Sequence, residues 1–135
     1  MKKNIVIIVS AMNMGGAQRV VSILCNYWSQ HGHNVTLIST FSGDKEQYYK
    51  LNKDVALEKV TDSPLLSKIK VWNLIWKLIN LRKLIKNQNP DVVISFLARV
   101  NVASALSMIG IKSPLIICER TCLLYTSDAA DDLRC

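Results

Sequence analysis

Two consecutive glycines, Gly15 and Gly16, separate an apolar run at residues 4–9 from a stretch with helical periodicity. Glycine leaves the backbone N–H groups uncovered, and the free N–H groups and dipole of a helix N-terminus favour a phosphate. Arg19, one turn later, could reach the same anion or lie on the solvated side of the helix. The pair therefore predicts a phosphate-facing turn, with a plain tight turn as the alternative.

The turn differs from the two best-known phosphate-binding loops. Residues 13–18 lack the G-x-G-x-x-G spacing of dinucleotide-binding proteins and the lysine of a P-loop. The apolar run at 34–40 is followed by Phe41 and has no acidic residue at its end to hold a ribose hydroxyl. An NAD-dependent dehydrogenase is therefore disfavoured, while an NAD(P)-type nucleotide-binding protein is kept as an alternative.

Alternating strands and helices must position the glycine turn. Gly32 is predicted to end the first helix, and His33 after it is predicted to have a packing role, away from any ligand. Strands are predicted at 4–9, 34–40, 55–60, 92–96 and 115–118, and two further helices at 65–86 and 100–109. This order predicts an α/β fold with a doubly wound, mostly parallel, Rossmann-like sheet, whose ligands lie beyond the carboxyl ends of the strands.

The composition limits the classes of function. Half of the 135 residues are hydrophobic, which supports a packed core, and the net charge of +7 favours anionic partners such as phosphates, nucleotides or lipid headgroups. Cys25, Cys118, Cys122 and Cys135 have no C-x-x-C spacing and no histidine cluster, so neither a metal site nor a disulfide framework is predicted. A reducing cytoplasm fits this pattern, and no motif for nucleic-acid binding is present.

The helix predicted at 65–86 has a broader apolar surface than a sheet-covering helix needs. Its polar residues form one stripe that includes Asn73 and Asn80, and most of the remaining surface is apolar. Such a surface suits a helix that lies on a membrane, with its tryptophans at the interface and its lysines on anionic lipid. The residues predicted to contact a membrane surface are Trp72, Trp76, Lys77, Arg82 and Lys83. The alternative is a buried, sheet-covering helix whose lysines extend to solvent.

Four segments, in order, resemble the family-4 retaining glycosyltransferases of the GT-B fold. They are the strand at 5–9 with Met14-Gly-Gly-Ala-Gln-Arg-Val-Val21, then Gly32-His-Asn-Val-Thr-Leu37, Pro90-Asp-Val-Val-Ile-Ser-Phe96 and Ile117-Cys-Glu-Arg120. The likeness covers nearly all of residues 1–121. It implies the N-terminal, acceptor-side half of an enzyme that transfers a sugar with retention from a nucleotide-sugar, expected to be a UDP-sugar, to a lipid-linked or polysaccharide glycan. It implies no metal and no further cofactor.

The resemblance also implies roles for individual residues at the cleft. Gln18 stands where the family commonly has glutamate, so no role is transferred to that position. The residues implied to face the donor diphosphate are Gly15, Gly16 and Arg19. Those implied on the acceptor side are Met14, Arg99, Asn101, Glu119 and Arg120, with a local ion pair as the alternative for the last two.

Residues 122–135 break the alternation of strands and helices. They resemble a translated sequencing-library adapter, so we expect a partial glycosyltransferase domain at 1–121 and a non-native tail after it. The chain alone is expected to transfer no sugar, because most of the donor site would lie in a second domain. A non-enzymatic basic module on a membrane surface is the remaining alternative.

Overall fold

The computed structural model describes residues 2–10, 16–40, 50–60 and 68–118. The strands are β1 (Asn4–Val9), β2 (Asn34–Ser39), β3 (Ala56–Lys59), β4 (Val92–Phe96) and β5 (Leu115–Cys118), and the helices are α1 (Gly16–Gln30), α2 (Lys70–Gln88) and α3 (Ala98–Ser107). All neighbouring strands are parallel, in the order β3-β2-β1-β4-β5. The predicted doubly wound parallel sheet is therefore confirmed.

Alternate residues of the central strands face two separate hydrophobic clusters. Ile7 and Val9 of β1 pack on the side of α1, whereas Val6 and Ile8 pack on the side of α2 and α3. Both faces of β1 are buried, which explains why its sequence is a continuous β-branched run. The helices bury Val21 and Cys25 from α1, Leu81 and Ile85 from α2, and Val100 from α3, with Met108 directly after that helix. Among the described elements, one helix thus covers one face of the sheet and two cover the other.

The helix boundaries differ from those predicted. Helix α2 begins at Lys70 and ends at Gln88, where Asn89 adopts the left-handed conformation (φ 45°) and its N–H donates to the Lys86 carbonyl. Helix α3 begins and ends two residues earlier than expected. Its early start follows from a sharp turn at Leu97, whose φ is +78°. Strand β3 is four residues long, shorter than predicted.

Helix α2 covers the sheet with its C-terminal half only. Leu81 and Ile85 are buried, whereas most of the apolar side chains before them are exposed to solvent. The exposed fractions are 55% for Trp72, 41% for Ile75, 39% for Trp76 and 46% for Ile79. These four residues recur at i, i+3, i+4 and i+7, so they form one continuous side of the helix, here called the exposed apolar face of α2. The sheet-covering alternative therefore holds for the second half of the helix alone.

The amino ends of the strands are joined by side-chain hydrogen bonds. The Asn4 N–H donates to Oδ2 of Asp91 (2.8 Å), and Nδ2 of Asn34 donates to Oδ1 of Asn4 (2.9 Å). The Lys3 N–H donates to Nδ1 of His33 (3.1 Å). His33 therefore lies where predicted, at the amino end of the sheet, and its ring accepts a hydrogen bond from the backbone before β1.

Candidate functional site

The chain reverses its direction of winding between β1 and β4, which are neighbours in the sheet. Helix α1 follows β1 on one face of the sheet, and α3 follows β4 on the other. The carboxyl ends of two such strands leave a crevice between the departing connections, and ligands of doubly wound sheets bind there. This edge is therefore the candidate site.

A cleft of about 380 Å³ opens at this edge between α2 and α3. It is lined by Ser10, Thr40, Val60, Leu74, Lys77, Leu78, Leu81, Arg99, Val100 and Ala103. Most of these side chains are apolar, and the charged ones, Lys77 and Arg99, are both cationic. The volume lies in the usual range for a small-molecule site. Apolar walls with two cations suit a ligand that has both an anionic group and an apolar part.

The turn between β4 and α3 positions Arg99 in the cleft. It is exposed and lies in the first turn of α3, while the next residue, Val100, is buried against the sheet. A cation at a helix N-terminus is opposed by the helix dipole, and the first turn of α3 has no acidic residue to offset it. The charge of Arg99 therefore opposes the dipole of the helix that carries it, and its side chain lines the cleft.

Asn101 does not lie on the cleft surface, contrary to the acceptor-side role implied by the resemblance. Its side chain is only 5% exposed. Oδ1 accepts a hydrogen bond from Oγ of Ser95 (2.7 Å), and Nδ2 donates to the Cys118 carbonyl (3.3 Å). The amide is therefore engaged within the protein, between the ends of β4 and β5.

Gly16 and Arg19 lie on α1, and neither lines the cleft. Gly16 is the first residue of the helix, and a Cβ built on it would have no heavy atom within 4 Å. Arg19 is exposed. The other residues predicted at the site, Met14, Gly15, Glu119 and Arg120, lie outside the described residues, as does the tail at 122–135.

The structure separates the five residues of α2 that were predicted to contact a membrane. Trp72, Trp76 and Lys83 are exposed. Lys77 is half-buried and lines the cleft. Arg82 turns towards α3, and its guanidinium donates to the carbonyls of Ser107 (3.1 Å) and Ile109 at the end of that helix. The guanidinium satisfies carbonyl groups that the end of α3 leaves unpaired, and the membrane contact of Arg82 stays a prediction.

The described cysteines are free thiols. Cys25 is fully buried against the sheet, and this burial raises the pKa of its thiol to about 12. Cys118 is half-buried at the end of β5. Within the described ranges, no three His, Cys, Asp or Glu side chains are grouped so that they could hold a metal ion. No helix in those ranges is long and apolar enough to span a membrane.

Part of the cleft could not be anticipated from sequence. Ser10 and Thr40 follow β1 and β2 directly, so the strand-end rule alone would have found them. Leu74 and Leu78 had no comparable signal. They are apolar residues in an apolar helix, and only the packing of α2 beside α3 shows that they line a cavity.

The family profile described as "Glycosyltransferase Family 4" matches residues 14–128. The chain belongs to this family. Two curated relatives agree with that membership. The chain is 37% identical over 117 residues to a Campylobacter jejuni protein named "GalNAc-alpha-(1->4)-GalNAc-alpha-(1->3)-diNAcBac-PP-undecaprenol alpha-1,4-N-acetyl-D-galactosaminyltransferase", covering 84% of this chain and 31% of the relative. It is 31% identical to the amylovoran biosynthesis glycosyltransferase AmsD of Erwinia amylovora, covering 99% of this chain and 36% of the relative.

Solved structures share the fold of this family-4 chain. Sucrose-phosphate synthase from Thermosynechococcus elongatus superposes with a TM-score of 0.70 at 9% identity, over 96% of this chain and 37% of that one. The calicheamicin glycosyltransferase CalG4 superposes with a TM-score of 0.56 at 14% identity, over 96% and 36%. The chain thus spans about a third of the length of the curated relatives, with 31% and 36% of them matched.

Proposed function

We propose that the chain forms the acceptor-side wall of a glycosyltransferase that transfers a sugar from a UDP-sugar to a glycan acceptor with retention of configuration. The observation that carries this proposal is the position of the cleft. It lies at the carboxyl edge of the sheet of a family-4 chain and combines apolar walls with Lys77 and Arg99. The name of the Campylobacter relative describes a glycan held on undecaprenol through a diphosphate. An acceptor of that class has the anionic and apolar parts that suit the cleft.

The proposed transfer needs a diphosphate to leave while negative charge develops on it. Hydrogen-bond donors and cations held in place before the reaction stabilise such charge. The N-terminus of α1 at Gly16, with Arg19 one turn later, supplies donors and a cation on the donor side. Arg99 would contact the acceptor. The proposal includes no metal or other cofactor, because these protein groups would share the charge with those of a donor-binding domain.

We also propose that the protein lies on the cytoplasmic side of a membrane and contacts it through the exposed apolar face of α2. Tryptophans of an interfacial helix lie at the level of the headgroups, and nearby lysines attract anionic lipid. Exposed lysines flank this face at both ends of α2, at Lys70 and at Lys83 with Lys86. An acceptor carried on a polyprenyl chain would be present in the same membrane.

The catalytic proposal is tested on the full-length gene product, with UDP-N-acetylhexosamines as donors and a polyprenyl-diphosphate-linked glycan as the acceptor. We expect transfer by the wild type and a KM for the acceptor that rises about tenfold in Arg99→Ala, equivalent to roughly 1.4 kcal/mol of lost binding. Lys112→Ala is the matched control, because it removes an exposed cation before β5, at the amino ends of the strands and away from the cleft. Absence of transfer from every UDP-sugar, or equal effects of the two variants, would contradict the proposal.

The membrane proposal is tested by sedimentation with vesicles of phosphatidylcholine, with and without phosphatidylglycerol. We expect the double variant Trp72→Ser, Trp76→Ser to lose binding to the anionic vesicles. The control is Ile23→Ser, Tyr27→Ser on α1, since these side chains are 56% and 54% exposed on the other face of the sheet. Unchanged binding of the tryptophan variant would show that α2 is not the contact surface.

A further inference from the structure

Asn101 and Arg99 lie on different sides of the first turn of α3. They are two residues apart, which in a helix of 3.6 residues per turn places them about 200° apart. Arg99 is exposed and lines the cleft, whereas the Asn101 side chain is buried towards the sheet. Whatever holds Asn101 therefore also fixes the rotation of α3 that presents Arg99.

The Asn101 side chain joins three elements at the carboxyl edge of the sheet. It accepts a hydrogen bond from the hydroxyl of Ser95, which is fully buried near the end of β4, and donates to the carbonyl of Cys118 at the end of β5. The Leu97 N–H donates to the same Cys118 carbonyl (3.4 Å), and the Asn101 N–H donates to the Leu97 carbonyl (2.8 Å). One amide thus ties the start of α3 to two strand ends.

The turn between β4 and α3 requires a backbone conformation that leucine, the residue at position 97, does not favour. Leu97 has φ 78° and ψ 142°, a backbone region that residues other than glycine rarely adopt. Such a backbone persists only where the surrounding structure determines it more than once. Leu97 has no side-chain hydrogen bond to α3 as a cap. The contacts of Asn101 with β4 and β5 are therefore the natural means of holding this conformation.

We propose that Asn101 is a positioning residue of the transfer reaction, acting through Arg99 and not by contact with substrate. This inference rests on the proposed function, because it assigns Arg99 to the acceptor. Without the Asn101 amide, the start of α3 loses its side-chain bonds to β4 and β5, and the Arg99 guanidinium is held less firmly in one place in the cleft. Misplacement of a binding group by about 1 Å is enough to cost on the order of 100-fold in rate.

The test compares four variants of the full-length gene product in the same transfer assay. They are Asn101→Ala, Arg99→Ala, the double variant, and Ser107→Ala. Ser107 is the matched control, since it is also buried in α3 (2% exposed) and its hydroxyl donates to the Leu78 carbonyl (3.3 Å), but it lies at the far end of the helix from Arg99. The readouts are kcat and the acceptor KM, with the thermal midpoint of each variant measured alongside.

We expect Asn101→Ala to lower kcat/KM for the acceptor by about 10-fold or more and to add less than about threefold when Arg99 is already alanine. Ser107→Ala is expected to lower the thermal midpoint without changing acceptor KM. Independent, multiplicative effects of Asn101→Ala and Arg99→Ala would overturn the inference, as would an Asn101→Ala effect no larger than that of Ser107→Ala.

A second variant covers the case in which Asn101→Ala does not fold. Ser95→Ala removes the hydroxyl that donates to Asn101 while leaving the asparagine in place. It is expected to raise acceptor KM in the same direction and by a smaller factor, and an unchanged KM would count against the inference. An inactive wild type would instead refute the proposed function, so the two failures are distinguishable.

Discussion

Replacing Gly16 by alanine distinguishes a glycine needed for a ligand from one needed for the fold. Gly16 is the first residue of α1, and a Cβ at this position would have no heavy atom within 4 Å apart from its chain neighbours and the backbone of its own helix. Alanine is a better helix former than glycine by up to about 1 kcal/mol. The described structure therefore gives the substitution no cost, and we expect the free energy of unfolding to stay the same or to rise by no more than about 1 kcal/mol.

Gly110→Ala is the contrasting control for the same substitution. Gly110 has φ +81°, and a Cβ there would lie 3.4 Å from Nη2 of Arg82. An L-residue in the left-handed region costs about 1–2 kcal/mol, and the new methyl group would also touch the guanidinium that satisfies the end of α3. Gly110→Ala is expected to destabilise the protein by roughly that amount while leaving the donor KM unchanged.

The two variants are measured by denaturant unfolding and by transfer kinetics of the full-length gene product. If the N–H groups at Gly16 approach a donor diphosphate, the added methyl group obstructs that approach, and we expect the KM for the nucleotide-sugar to rise about tenfold, or roughly 1.4 kcal/mol. A Gly16→Ala enzyme with unchanged stability and unchanged donor KM would refute the reasoning. A loss of stability would equally refute it, because the structure shows open space at this site.

Two further predictions concern the helices that cover the sheet. Leu81→Ala removes a buried side chain of α2 and is expected to cost about 2–5 kcal/mol, whereas Ile75→Ala on the exposed apolar face should change stability by less than about 0.5 kcal/mol, as measured by urea unfolding. Equal costs would mean that the whole helix covers the sheet. Burial raises the pKa of Cys25 in the folded chain to about 12, so its contribution to stability is complete below the unfolded pKa of about 9 and is lost as the pH rises towards 12. Between pH 8 and pH 10 the wild type should lose about 1.4 kcal/mol more than Cys25→Ala in alkaline urea titrations, and parallel curves would contradict the burial of the thiol.

The sheet could be predicted from sequence because each buried strand has its own local signal. The β-branched runs at 4–9 and 92–96 gave strands with those bounds, and parallel pairing followed from the helices between them. The ends of the helices were less accurate. The start of α3 depends on the positive φ of Leu97, and a leucine gives no sign of such a turn. Propensity describes what a residue prefers, whereas this turn is imposed by contacts with β4 and β5.

The candidate site was predictable as an edge of the sheet, but the roles of its residues were not. Arg99 and Asn101 were assigned together because both follow β4, and the structure places one in the cleft and buries the other. Arg82 and Lys83 are adjacent cations of α2, yet only Lys83 is exposed. Sequence position gives the element to which a side chain belongs. The direction in which it points depends on helix rotation, which is set by packing with distant parts of the chain.

The side-chain hydrogen bonds at the amino ends of the strands lie at the end of the sheet opposite the candidate site. Hydrogen bonds of the Asn4, Asp91, Asn34 and His33 side chains hold this edge of the sheet together. Backbone held by such bonds opens late, so amide hydrogens near Asn4 and Asn34 should exchange with solvent at rates close to those of global unfolding. Because these bonds lie at the end of the sheet away from the candidate site, substitutions in the cleft leave them in place, and the strands keep their register while the specificity of the site changes.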